Sequence, residues 1–115
     1  MDLKQKRTNS LIMETVSEII ERDLKDPRIG FVTVTSVKTS SDLKYATVYF
    51  TVHDGENEGK KNSELLNHAR GFIQHKLSDL LRLKYTPKLH FEFNPFIERL
   101  ERIEKLIKEE NGKEN

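Results

Sequence analysis

Apolar and polar residues recur with two different periods along this 115-residue chain, and the changes of period mark its elements. Leu11, Ile12, Val16, Ile19, Ile20 and Leu24 fall at helical spacing, which predicts an amphipathic helix from about residue 4 to residue 24. Pro27 ends it, because proline removes an amide donor and disfavours the helical conformation at Asp26. Asp26 and Arg28 then read as a turn whose charges pair locally. Residues 31–38, rich in valine and threonine, predict a strand with both faces partly apolar, so its inward face is not defined by the pattern. Thr39, Ser40, Ser41 and Asp42 reverse the chain. A second strand follows in which Ala46, Val48, Phe50 and Val52 alternate with Tyr45, Thr47, Tyr49 and Thr51, giving a hairpin with one buried and one polar face.

Residues 53–61 contain two glycines and no apolar side chain, and read as a mobile loop. Asn62 or Ser63 is placed to cap the next helix. Leu65, Leu66 and Ala69, then Ile73, Leu77, Leu80 and Leu81, carry that helix to about Leu83. Gly71 is the anomaly inside it, since glycine in a helix interior costs roughly 1 kcal/mol relative to alanine. The Ala69-Arg70-Gly71 step therefore predicts a kink, or a place where another backbone comes close. A third strand, residues 88–93, points Leu89, Phe91 and Phe93 one way and His90 and Glu92 the other. After Pro95, Ile97, Leu100, Ile103, Leu106 and Ile107 form an apolar stripe that predicts a docked last helix. The helical crossover between the second and third strands allows parallel pairing, so an α+β sandwich with a three-stranded mixed sheet covered by helices on one face is expected. Residues 1–108 read as a single domain and 109–115 as a polar, disordered tail.

Charge alters this picture by its distribution. The net charge is only +1, yet residues 59–90 hold seven basic and two acidic side chains, while each flank is net negative. The basic excess falls on the segment containing Gly71, and a local excess attracts phosphates within about 8 Å whatever the total. Cysteine is absent, which excludes disulfide scaffolds and thiolate metal sites. No apolar run approaches the roughly 20 residues that span a bilayer, and a cytoplasmic protein is expected. The four histidines are scattered, with only His68 and His75 on one predicted helix, and no phosphate-binding loop, dinucleotide fingerprint or nucleophile elbow appears. The expectation is no enzyme, no metal and no cofactor.

The ordered set Asp26-Pro27-Arg28, Val32-Thr33-Val34-Thr35, Ala46-Thr47-Val48-Tyr49, Ala69-Arg70-Gly71-Phe72-Ile73, Leu83-Lys84-Tyr85-Thr86-Pro87 and Leu89-His90-Phe91 resembles bacterial ribosome-binding factor A. Asn94, where that family usually has aspartate, and Lys84, where arginine is common, depart from it without touching the kink. The resemblance implies a type II KH-like domain, ordered helix-strand-strand-helix-kink-helix-strand with a C-terminal helix. In it an alanine-x-glycine kink replaces the glycine-x-x-glycine turn. It further implies a monomeric assembly factor that acts late in small-subunit maturation, supporting processing of the 5′ end of small-subunit rRNA and growth in the cold. The implied partners are the small ribosomal subunit, its rRNA and other assembly factors including a maturation GTPase, with no membrane.

The RNA-binding candidates at the kink are Ala69, Arg70 and Gly71, with Lys76, Arg82 and Lys84 supplying charge. Lys60, Lys61, Lys6 and Arg7 are candidates for extending the patch. Two other readings remain: a protein-interaction domain docking through its last helix or polar sheet face, and a nuclease using His68 or His75 as acid or base.

Overall fold

The computed structural model describes residues 2–53, 56–95 and 103–109. Helix α1 (Leu3–Arg22) opens with a reciprocal cap: the Asp2 carboxylate accepts from the Gln5 amide, and the Gln5 side chain accepts from the Asp2 amide. Ile12, Val16 and Ile19 form its fully buried stripe. Beyond it, the Asp26 carboxylate accepts from the Arg28 amide at 3.0 Å and from its Nε and Nη2 at 3.0 and 2.7 Å. Those Arg28 bonds hold the Asp26 carboxyl down at about 2. The pair is engaged with itself, and the turn it makes sets β1 on its path.

Strands β1 (Val32–Thr39) and β2 (Tyr45–Val52) pair antiparallel, and β3 (Lys88–Phe93) pairs parallel to β2, giving the order β1-β2-β3. The register slips between Val34 and Ser36, so Thr35 is a bulge residue, its hydroxyl donating to the Tyr49 carbonyl at 3.2 Å. That extra residue moves the inward positions from Val34 to Val37 and Thr39, which is why β1 shows no clean period of two. β2 and β3 alternate as expected: Ala46, Val48, Phe50, Leu89 and Phe91 point into the core. On the other face Tyr45 is 60% exposed, and Thr47, Tyr49, His90 and Glu92 share that open side.

The parallel crossover is made by α2 (Glu56–His68) and α3 (Arg70–Leu81). α1 packs on β1 and α3, and α2 on β3, so one sheet face is covered. This is the α-β-β-α-α-β order of a type II KH-like domain.

Two expectations are corrected. Residues 56–61 of the expected loop are helical, because α2 already begins at Glu56; residues 54 and 55 lie outside the described residues. Gly59 marks close packing: a Cβ there would fall on the Phe93 ring, so the missing side chain lets the helix lie against β3. Asn62 and Ser63 consequently sit inside α2 and do not cap it. Asn62, 1% exposed, accepts from the Gly30 amide at 2.9 Å, and Ser63 donates to the Phe91 carbonyl at 3.1 Å. The last helix is the second correction. Residues 103–109 are helical, but Ile103, Leu106 and Ile107 stay 53, 62 and 51% exposed. The covered sheet face is already filled by α1 to α3 and the opposite face is largely polar, so the stripe has no apolar counterpart there. Ile97, Leu100 and the tail beyond Glu109 lie outside the described residues.

Candidate nucleic-acid interface

Ala69 alone separates α2 from α3, with φ −88° and ψ 3°, a bridge conformation that turns the chain without leaving its allowed region. Its amide still donates to Leu65 at 3.1 Å and its carbonyl accepts from Ile73 at 3.2 Å, so the bend keeps these backbone bonds. Its side chain packs on the core, where a larger one would push α3 away. Gly71 has a different role. Its backbone is not left-handed, and nothing lies within 4 Å of the position a Cβ would take. Neither strain nor a neighbouring strand of this chain requires glycine there; its bare side faces outward.

The kink is fixed by its flanks. Asn67 donates to the Phe91 carbonyl and accepts from the Phe91 amide, both at 2.8 Å, and Gln74 accepts from the Leu89 amide at 3.2 Å. These side chains satisfy groups on the free edge of β3, which would otherwise remain open to pairing. The same bonds hold the end of α2 and the start of α3 at a set height along the strand.

Between this bend and the α3–β3 loop runs an open groove of about 870 Å³. Of the predicted site residues, Arg70, Gly71 and Lys84 line it, and Ala69 forms the bend beneath. The groove adds Lys88, His68 and His75. No carboxylate lines it among the described residues, although Asp79 stands 3.5 Å from His75 Nε2.

The other predicted residues go elsewhere. Lys76 projects from a different side of α3, its Nζ 5.8 Å from the Phe72 ring centre. Arg82 is the exposed, left-handed cap of α3, at φ 50° and ψ 36°. Lys60 and Lys61 are exposed on α2, away from the groove lining, and Lys6 and Arg7 border a separate shallow depression on α1.

A second cavity, of about 620 Å³, adjoins the first and shares Lys84, Tyr85 and Thr86 with it. Lys4 from α1 and Lys44 from the β1–β2 turn converge there from distant parts of the chain. Its one carboxylate, Asp42, is held below the usual range by the Ser40 hydroxyl and the Lys44 amide, and is committed to shaping the turn. Tyr85, Lys4, Lys44 and Lys88 line these cavities without being site candidates in the sequence, because their proximity depends on the fold; Lys88 stands in the basic segment and Tyr85 in the Leu83–Pro87 motif. Among the described residues no group of three histidines or carboxylates is arranged to hold a metal ion.

The family model described as ribosome-binding factor A matches residues 4–107. This chain belongs to the ribosome-binding factor A family. The family's protein from Geotalea daltonii is 40% identical across 97% of both chains, and that from Dictyoglomus thermophilum 41% identical across 95% of this chain and 92% of the relative. A solution structure of a Thermotoga maritima protein assigned to ribosome-binding factor A superposes with a TM-score of 0.71 at 33% identity, covering 77% of this chain and 85% of that one. The fold is also shared with a homology model of Thermus thermophilus ribosome-binding factor A as fitted into a cryo-EM map of a 30S complex, with a TM-score of 0.63 at 24% identity over 75% and 90% of the two chains. The ribosome-binding factor A family match takes in the bend, the groove and the β3 clamp together.

Proposed function

We propose that this protein binds the small ribosomal subunit through its rRNA late in maturation, supporting processing of the rRNA 5′ end and growth in the cold, with other assembly factors, including a maturation GTPase, as further partners. The observation that carries the RNA-binding reading is the kink groove: an unobstructed glycine backbone beside Arg70, Lys84 and Lys88, with no carboxylate in its lining. A phosphodiester can approach such a backbone closely, and cationic side chains on the rim hold it without reading sequence. Shape and unpaired segments of the RNA then supply selectivity. Family membership and the Thermus thermophilus 30S complex support the small subunit as the partner.

The geometry sharpens the test. Arg70→Glu and Lys84→Glu are expected to weaken co-sedimentation with immature small subunits by about 10-fold or more, whereas Lys76→Glu, on a different side of α3, leaves it near wild type. With about four phosphates engaged, affinity for subunit RNA is expected to fall about 50-fold between 50 and 200 mM salt. Equal loss from all three variants would mean a diffuse charge effect, and no loss from any would remove the groove from the interface. The alternative, a protein-docking domain, has one observation in its favour: the bare stripe of Ile103, Leu106 and Ile107. It predicts weak RNA affinity with little salt dependence.

A further inference from the structure

An exposed aromatic residue decides nothing alone, since single apolar side chains on surfaces are common. Tyr85 is distinguished by its position. It is 79% exposed, it belongs to the short loop joining α3 to β3, and it stands on the wall shared by the two cavities. On the kink side lie Arg70 and Lys88; on the other lie Lys4 and Lys44, and Lys84 borders both. The Lys84 ammonium stands 5.6 Å from the Tyr85 ring centre, so positive charge accompanies the ring itself. The cavity beyond the ring has apolar walls from Leu43, Leu83 and Pro87, with Thr8, Lys4 and Lys44 among its polar lining residues. Apolar walls with a few polar groups suit a flat heteroaromatic ligand.

We propose that Tyr85 is a stacking platform for an unpaired RNA base, so that the chain takes a single-stranded segment whose backbone lies in the kink groove and whose adjacent base turns into the second cavity. This deepens the RNA-binding reading and rests on it. A duplex keeps its bases paired and cannot present a face to the ring, whereas a splayed strand offers stacking surface and backbone charge together. The apolar walls of the second cavity suit the face of a base, whereas the kink groove offers cations with no carboxylate in its lining among the described residues, which assigns the backbone to the kink side and the base to the other.

The test uses the full chain, a labelled single-stranded RNA of about a dozen nucleotides and a duplex of the same length, read by fluorescence anisotropy. Tyr85→Ala is expected to weaken single-strand binding by about 5- to 150-fold. Tyr85→Phe restores it, the salt slope stays as in wild type because no charge has changed, and duplex binding does not move. Since the ring is exposed, thermal melting serves as the folding control and is expected to be unchanged. Wild-type affinity in Tyr85→Ala, failure of Phe to rescue, or equal loss on the duplex would each overturn the platform. If Arg70→Glu still weakens binding in the first of those cases, the groove reading survives without the platform; if it does not, both fall.

Discussion

Replacing Gly71 with alanine tests the central claim because stability and binding should move in opposite directions. Beyond the adjoining residues and backbone of its own helix, no heavy atom lies within 4 Å of the added methyl group, and the backbone there is not left-handed, so alanine fits without strain. Glycine to alanine at a compatible helical position stabilises by about 0.4–1 kcal/mol, mainly by restricting the unfolded chain. For a domain of this size that is a rise in melting temperature of roughly 2–6 °C. The same methyl would occupy the floor of the groove beside Arg70, where the RNA backbone is expected to come nearest. Holding a phosphodiester about an ångström further out weakens its hydrogen bonds to the backbone, and an affinity loss of about 10-fold corresponds to only about 1.4 kcal/mol. Calorimetry or far-ultraviolet melting gives the first quantity and co-sedimentation with small subunits the second. A more stable variant that binds as wild type would refute the idea that the glycine is kept bare for a ligand. A less stable one would show that the space at Gly71 is needed by the fold.

The β3 clamp gives a second expectation. Asn67→Ala leaves the Phe91 amide without its acceptor while Ser63 still serves the Phe91 carbonyl, and should cost about 1–3 kcal/mol, seen as a melting point lower by roughly 4–12 °C. A loss under about 0.5 kcal/mol would mean that water replaces the side chain at that edge. The turn after α1 supplies a pH dependence. Asp26 is depressed from 3.8 to about 2, so the stabilisation its pairing provides is complete above the ordinary value and is lost as pH falls through about 2. In Arg28→Ala, the Asp26 midpoint followed by carboxyl NMR should return toward 3.8; an unmoved midpoint would mean that Arg28 is not the cause.

Local chemistry in the sequence was enough to determine the alternation of β2 and β3, an end of α1 ahead of Pro27 with the Asp26–Arg28 pair after it, and the break at Ala69-Arg70-Gly71, because each depends on residues within a few positions of one another. The ordered motifs also carried the family. Tertiary packing decided the rest. Gly59 looks like a helix breaker until the Phe93 ring occupies the space its side chain would need, and β1 has no readable phase because its bulge at Thr35 is settled by the pairing with β2, where Ser36 meets Tyr49. The cationic site was legible as a charged segment but not as a surface. A helix turns its residues through 100° each, so Lys76 leaves the groove that Arg70 lines, while Lys4 and Lys44 reach the neighbouring cavity from elements far away in sequence. Which charges meet is a property of how the helices lie on the sheet, and only the folded chain specifies it.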